Sequence, residues 1–251
     1  MAFPTVFTKG KVDGEAALES RKAIRMKNFG ELADDRVTFR DRHDAAVRLS
    51  ERLRPFAGRS PLVLAIPRGA VPMAKVIADS LGGEYDVVLV RKLRAPHQPE
   101  LAIGSVDEGG WTYCPDRSVT PVVTERYFEA EKQLQLQTIR SRRAQYTAAR
   151  PPIDPAGRIV IVVDDGLATG STMAAALHCL RARKPARLIC AVPVAAPESL
   201  ARVAPMADEV VCLGTPQNFQ AVGQFYQSFP QVTDEEVIAI LHVGRPQPAS
   251  R

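Results

Sequence analysis

Residues 159–177 have the sequence IVIVVDDGLATGSTMAAAL, and this stretch decides the fold class. Its first five residues form an unbroken apolar run, which is typical of a strand covered on both faces of a parallel sheet. Asp164 and Asp165 follow directly, and a loop of small residues then leads into a helix that begins near Ser171. Because ligands bind at the carboxyl ends of strands in doubly wound sheets, we expect the functional site at this turn.

The loop after the acid pair has the composition of an anion-binding turn. Gly166 and Gly170 allow the backbone to approach a ligand. Loop amides, the N–H groups that open the helix and the hydroxyls of Thr169, Ser171 and Thr172 all favour a terminal phosphate. Inward carboxylates would repel that phosphate, so the acid pair favours sugar hydroxyls or a hydrated Mg²⁺. The inferred ligand is a ribose phosphate, and a purely structural turn is the alternative.

Strand and helix patterns alternate on both sides of this stretch. The predicted helices are 42–54, 71–81, 124–148, 171–183, 198–203 and a last one capped by Thr233, and the predicted strands are 62–66, 85–90, 158–163, 187–194 and 209–213. This order predicts an α/β fold, a doubly wound and mostly parallel sheet with flanking helices. Residues 1–35 are predicted to be an N-terminal appendage, and residues 36–251 one domain that includes a small hood and a C-terminal helix. Neither a Walker loop nor G-x-G-x-x-G is present.

One segment interrupts the alternation. Residues 91–123 contain so many Pro and Gly residues that we expect no regular structure beyond a short hairpin around residues 111–113. A loop of this length is usually functional or disordered. Arg140, Arg142 and Arg143 follow at the end of the long helix, where they are predicted to form a solvated helix end rather than a phosphate site.

Composition excludes several classes of protein. The 33 basic and 28 acidic residues give a net charge of +5, which permits an anionic ligand but is far from that of a polycationic nucleic-acid-binding protein. No two of the four cysteines have C-x-x-C spacing, and all four are predicted to be free thiols. No apolar run approaches the roughly 20 residues of a membrane span, and the N-terminus lacks a signal-peptide core. We expect a cytoplasmic protein with neither membrane nor nucleic acid as partner.

The segment VVDDGLATGST, residues 162–172, resembles the motif with which type I phosphoribosyltransferases bind 5-phosphoribosyl 1-pyrophosphate (PRPP). In that family, apolar residues precede two acidic residues and a Thr-Gly phosphate loop. A looser similarity to a group of bacterial predicted phosphoribosyltransferases runs from about Phe39 to Gly244, through FRDRHDAA, AIPRGAVPMA, VRKLRAPHQPELAIG and AVGQFYQSF.

This resemblance implies a role for each matching residue. The PRPP-binding residues would be Asp164, Asp165, Gly166, Leu167, Ala168, Thr169, Gly170, Ser171 and Thr172. The acid pair would contact the ribose hydroxyls, and Asp164 and Asp165 would hold the Mg²⁺ cofactor through water. The pyrophosphate-binding turn would be Pro67, Arg68, Gly69 and Ala70.

Three basic residues are the catalytic candidates. Arg68 lies in the pyrophosphate turn, and Arg91 and Lys92 are predicted to end the second strand at the same sheet edge as Asp164. They would offset the charge that grows on the leaving group. Ordinary exposed charge is an equal alternative for Arg91 and Lys92. The irregular stretch beyond them resembles a mobile loop that closes over the substrate.

The implied reaction is transfer of ribose 5-phosphate from PRPP to a nitrogen nucleophile, a nucleobase or related amine, with release of pyrophosphate. Ala168 departs from the pattern, because several purine-salvage members carry an acid there. Either the loop around His97 and Glu100 supplies an acid or base instead, or the nucleophile needs none. A non-catalytic PRPP-binding or nucleotide-binding regulator is the alternative function. Residues 1–40 and 216–229 are the hood candidates, and the aromatic residues of the second either stack on a base or pack together. Oligomeric state, including a homodimer, is left open.

Overall fold

The computed structural model describes residues 37–96, 98–113, 123–147 and 152–243, and gives the backbone alone at 98–102, 113 and 243. The predicted appendage lies outside the described residues. The strands are β1 (Leu62–Ala65), β2 (Glu84–Val87), β3 (Val90–Ala95), β4 (Gln98–Asp107), β5 (Thr112–Tyr113), β6 (Ile159–Val163), β7 (Arg187–Val194) and β8 (Glu209–Gly214). The helices are α1 (Arg42–Arg52), α2 (Val71–Leu81), α3 (Glu125–Tyr146), α4 (Ser171–Ala182), α5 (Pro197–Val203) and α6 (Asp234–Val243). Short 3-10 helices lie at Arg54–Phe56, Ala204–Met206 and Val222–Phe225.

Five strands form a sheet in the order β2-β1-β6-β7-β8, and every neighbouring pair is parallel. Strand residues alternate between two cores, because successive side chains point to opposite faces. Val63 and Ile161 belong to the core that contains residues of α1, α2, α3 and α6. Leu64 and Val162 belong to the core that contains residues of α4 and α5. The prediction of a doubly wound, mostly parallel sheet with flanking helices is confirmed.

The strand order brings two turns together at one sheet edge. β1 and β6 are neighbours, and Ala65 at the end of β1 pairs with Val163 at the end of β6. The turn that leads into α2 and the loop that leads into α4 therefore leave the sheet side by side. Local sequence determines where the helices begin. The Asp41 side chain accepts the Asp44 N–H ahead of α1, and Thr233 and Glu236 form the predicted capping box ahead of α6.

The prediction for residues 91–123 is wrong over its first half. β3, β4 and β5 form a separate three-stranded antiparallel sheet. Pro99 and Gly104 lie within β4 rather than in a loop. β5 pairs only with Ser105 and Val106, so β4 is an edge strand at Pro99, where a missing N–H is tolerated. Residues 114–122 lie outside the described ranges.

The end of the predicted second strand is also wrong. Parallel pairing stops at Val87, and Val90 already belongs to the antiparallel sheet. The apolar run continues through this switch, so its pattern does not show that the chain passes from one sheet to the other. Arg91 and Lys92 consequently lie in β3 instead of at the end of a parallel strand.

Arg143 corrects the prediction of a solvated helix end. It is buried, and its guanidinium lies 2.9 Å from Asp86 and 2.8 Å from Glu108 and donates to the Val87 carbonyl at 3.0 Å. These contacts join α3 to the edge of the parallel sheet and to the turn between β4 and β5. Arg140 and Arg142 are exposed.

Among the described residues, no helix has the length and apolar character needed to cross a bilayer. Cys179, Cys190 and Cys212 are buried free thiols, as predicted, and burial raises the pKa of each.

Arg143→Met should lower the free energy of unfolding by about 3–5 kcal/mol, because it leaves Asp86, whose side chain is 1% exposed, without this cation. Urea unfolding measures the loss. Arg126→Met, an exposed site on the same helix, is the matched control and should stay within about 0.5 kcal/mol of wild type. Equal losses in the two variants would contradict the structural role of Arg143.

Candidate functional site

The carboxylate of Asp165 is held by an arginine from α1. Asp165 Oδ2 accepts hydrogen bonds from Arg42 Nε at 3.0 Å and Nη2 at 2.9 Å, and the two side chains are only 17% and 12% exposed. Arg42 Nη1 donates to the Pro230 carbonyl at 2.6 Å, and the guanidinium lies 3.7 Å from the centroid of the Phe229 ring. One Asp165 oxygen is therefore committed to Arg42, and Oδ1 is the one left for a ligand.

Asp164 is the less constrained member of the acid pair. Its Oδ1 accepts the Asp165 N–H at 2.9 Å, and no cation among the described residues forms an ion pair with it. Burial, and then the charge of Asp165, raise the pKa of the Asp164 carboxyl well above its usual range. Burial also raises the pKa of Asp165, and the charge and hydrogen bonds of Arg42 oppose that rise. A hydroxyl donor or a cation bound here would stabilise the ionised pair.

Part of the loop after the acid pair packs against the protein. A Cβ added to Gly166 would lie 2.7 Å from Cγ1 of Val222, so this glycine allows a close approach of protein rather than of ligand. The Leu167 N–H donates to the carbonyl of Val194 at the end of β7, and the Leu167 carbonyl accepts from the N–H of Ala196 ahead of α5, at 2.9 Å each. Gly170 has φ +68° and precedes α4 in the left-handed conformation that favours glycine.

The rest of the loop presents donors to solvent. No acceptor among the described residues faces the N–H groups of Ala168 and Thr172, and the hydroxyls of Thr169 and Ser171 lie 2.8 Å apart. Arg202 Nη1 donates a hydrogen bond to the Thr169 carbonyl at 2.9 Å. Amides without an acceptor, together with accessible hydroxyls, at the start of a helix are suited to a phosphate.

The turn of residues 67–70 contacts the acid pair directly. A Cβ added to Gly69 would lie 2.0 Å from Asp165 Oδ2 and 3.2 Å from Arg42 Nη2, so a side chain at this position would have to displace the carboxylate. The backbone of the turn after β1 is therefore in contact with the carboxylate after β6. The acid pair thus contacts the turn of residues 67–70, and the donor-rich loop follows it directly in the chain.

Arg68 and its neighbours extend this contact towards α6. Arg68 Nη1 lies 3.4 Å from Asp234 Oδ2, and the Tyr146 hydroxyl donates to Asp234 Oδ1 at 2.6 Å. Burial and the Asp234 bond raise the pKa of Tyr146 to about 12, so the phenol remains protonated at neutral pH. Pro67 is partly exposed, whereas Ala70 is buried at the start of α2. The Pro67–Arg68 peptide bond is cis.

Arg91 and Lys92 point to opposite faces of β3, since they are consecutive strand residues. Arg91 is partly buried, and its Nε donates to Gln135 Oε1 of α3 at 2.5 Å. Lys92 is exposed and pairs across the hairpin with Ser105. Arg91 lines a small crevice together with Pro67, whereas Lys92 does not.

Two arginines that the sequence analysis did not assign to the site reach it. Arg42 pairs with Asp165 across 123 sequence positions, and its only signal was its place in the FRDRHDAA segment. Arg142, predicted to be solvated, lines the same crevice as Arg91 and Thr172. Neither spacing nor helical periodicity identifies such long-range pairs.

The hood segment 216–229 covers the acid turn. The Tyr226 hydroxyl donates to the Asp165 carbonyl at 2.7 Å. The ring centroids of Phe219 and Phe225 lie 5.1 Å apart, and those of Tyr226 and Phe229 lie 4.7 Å apart. These four aromatic side chains therefore pack together, which is the second of the two alternatives considered for them.

The donor set fits a hydrated Mg²⁺ better than a metal held by protein alone. No three metal-ligating side chains cluster among the described residues. Asp164 and Oδ1 of Asp165 offer carboxylate oxygens, and Mg²⁺ is commonly held by one or two carboxylates together with water and substrate phosphates. His97 lies outside the described residues, as does the side chain of Glu100, so their acid or base role stays a prediction.

The chain is similar to a protein-family model, to curated proteins and to a solved structure. A family model for the phosphoribosyl transferase domain matches residues 39–227. Two Mycobacterium tuberculosis proteins, "Putative phosphoribosyl transferase MT0597" of strain CDC 1551 and "Putative phosphoribosyl transferase Rv0571c" of strain H37Rv, are each 42% identical over 204 residues, which is 81% of this chain and 46% of theirs. The chain thus spans about half the length of these relatives. The crystal structure of TT1426 from Thermus thermophilus is similar with 45% identity and a TM-score of 0.75, over 82% of this chain and 99% of that one.

Gly170→Ala should lower the free energy of unfolding by about 2 kcal/mol, and Gly157→Ala by about 1 kcal/mol, in urea unfolding. Both glycines have φ +68°, so both variants carry the same backbone cost. Only at Gly170 would the new Cβ meet neighbours, Val203 at 3.1 Å and the Ser199 carbonyl at 3.3 Å. Equal losses of unfolding free energy in the two variants would contradict the close packing of Gly170 against Val203 and Ser199.

Proposed function

Because the chain belongs to the phosphoribosyltransferase family, we propose that it transfers ribose 5-phosphate from PRPP to a nitrogen nucleophile with release of pyrophosphate. In this reaction the bond between C1 of the ribose and the diphosphate oxygen breaks. A bond forms between C1 and the nitrogen, whose proton passes to solvent or a base. The transition state has oxocarbenium-ion character, as in other glycosyl transfers.

One observation carries this proposal: the contact between Gly69 and Asp165, where an added Cβ would lie 2.0 Å from the carboxylate. It brings the turn that contains Arg68 against the acid pair, and the donor-rich loop follows the acid pair directly in the chain. PRPP has a phosphate at one end of its ribose and a diphosphate at the other. Two anion-binding turns that flank carboxylates complement such a molecule.

The residues would divide the ligand between them. The amides and hydroxyls from Ala168 to Thr172 would bind the 5′-phosphate. The free oxygens of Asp164 and Asp165 would accept hydrogen bonds from the ribose hydroxyls, with Asp165 oriented by Arg42. Arg68 and Arg91 would donate to the diphosphate, and positive charge there stabilises the leaving group as the C1–O bond breaks. The same role for Lys92, which is exposed on the opposite face of β3 from Arg91, stays a prediction.

Mg²⁺ would be held by Asp164 and Asp165 through water, together with the ligand. When bound, it would offset negative charge on the diphosphate. We expect the activity to be lost when EDTA removes the ion and restored by excess Mg²⁺.

A nucleobase or a related amine is proposed as the acceptor.

The double variant Asp164→Asn with Asp165→Asn should lose PRPP binding. Saturating PRPP, at about 100 times its dissociation constant, should stabilise the wild-type chain by about 2.7 kcal/mol, which thermal unfolding detects as a higher melting temperature. The double variant should show no such rise. Asp79→Asn, an exposed carboxylate on α2, is the control and should respond as wild type does. Undiminished PRPP binding by the double variant would refute the sugar-binding role.

Pyrophosphate release tests the reaction itself. The chain is incubated with PRPP and Mg²⁺ and a panel of purines, pyrimidines and small amines, and acceptor-dependent pyrophosphate supports the transferase. PRPP binding without turnover, accompanied by salt-dependent binding of RNA, would support the non-catalytic regulator instead.

A further inference from the structure

A crevice of about 50 Å³ lies where the end of β1 meets β3, α3 and α4. Pro67 of the pyrophosphate turn and Thr172 of the phosphate loop both line it. Its two charged lining residues among the described residues are Arg91 from β3 and Arg142 from α3. Elements that are far apart in sequence thus bring two guanidinium groups to the border between the two anion-binding turns.

Neither guanidinium is neutralised by a directly paired carboxylate among the described residues. Arg91 Nε donates to the uncharged Gln135 Oε1, which orients the side chain and leaves both terminal nitrogens available. The Gln135 amide nitrogen donates in turn to Glu131 at 2.9 Å, so Gln135 links Arg91 to this acid and the two charged groups form no hydrogen bond with each other. Arg142 has no ion pair or hydrogen-bonded acceptor in the described part of the chain. Arg143, the next residue, by contrast binds two carboxylates.

The proximity of the two cations has an electrostatic cost. Burial, and then the charges of Arg142 and Arg94, lower the pKa of Arg91, while the charge of Glu131 acts in the opposite direction. Arg142 also lies close enough to the Tyr146 hydroxyl to act on it, as does Arg68 from the pyrophosphate turn. An anion bound between Arg91 and Arg142 would offset their mutual repulsion.

We propose that Arg142 is a pyrophosphate-binding residue that acts with Arg91 on the diphosphate of the ligand. The inference rests on the proposed function and adds to it a residue from α3. A guanidinium presents its N–H groups in a planar fork that matches phosphoryl oxygens, and Arg142 is exposed beside the crevice with those groups free. The charge of Arg142 therefore serves the leaving group and not the end of the helix.

The test uses the full chain and three probes: PRPP, inorganic pyrophosphate and ribose 5-phosphate, each measured by calorimetry at fixed ionic strength with Mg²⁺. Arg142→Gln should weaken PRPP and pyrophosphate binding about ten- to hundredfold, the range for loss of a charge-assisted hydrogen bond. Ribose 5-phosphate, which carries no diphosphate, should bind within about twofold of wild type on the same reasoning. Arg142→Lys, which keeps the charge and loses the fork, should fall between the two.

Arg140→Gln is the matched control, because it removes the same charge from an exposed position two residues earlier on α3 and does not line the crevice. It should bind all three probes as wild type does. Unchanged pyrophosphate and PRPP affinity in Arg142→Gln, or an equal loss for ribose 5-phosphate, would overturn the assignment of Arg142 alone. A wild-type chain that binds neither PRPP nor ribose 5-phosphate would overturn the proposed function and this assignment with it.

Discussion

The ion pair between Arg42 and Asp165 joins segments that the chain encodes far apart. Arg42 comes from α1, and Asp165 lies in the turn that follows β6, the central strand of the sheet. The backbone of Gly69 approaches the same carboxylate from the turn after β1, and Tyr226 of the hood donates to the Asp165 carbonyl. Because the pair is nearly buried, loss of either charge would leave the other desolvated and unpaired. The geometry of the site therefore depends on this contact.

This arrangement divides the acid pair into two chemical roles. The DD sequence suggests two equivalent carboxylates, but Asp165 shares its charge with Arg42 while Asp164 forms no ion pair among the described residues. Burial disfavours ionisation of both acids, and the nearby guanidinium partly offsets that effect for Asp165. Asp165 is thus oriented by the protein, and Asp164 is the freer group for a hydroxyl or a hydrated cation.

Two adjacent arginines of α3 likewise differ in their partners. Arg143 is used for structure, since its carboxylate partners fasten α3 to the sheet edge and the hairpin. Arg142, next to it, lacks such partners in the described residues and lines a crevice together with Arg91 and Pro67. Successive helix residues point about 100° apart, so adjacent arginines on α3 face different surroundings. Arg143 faces two carboxylates, whereas Arg142 faces the crevice.

Local sequence was enough to predict the parallel sheet, the helix caps at Asp41 and Thr233, and the position of the acid turn, because these depend on apolar patterns and on residues close together in the chain. It also identified the family through the segment 162–172. Tertiary structure alone decided that the apolar run after β2 passes into a second sheet, that Arg143 is buried, and that Arg42 and Arg142 reach the site. Those outcomes depend on contacts between distant segments, which no local period records.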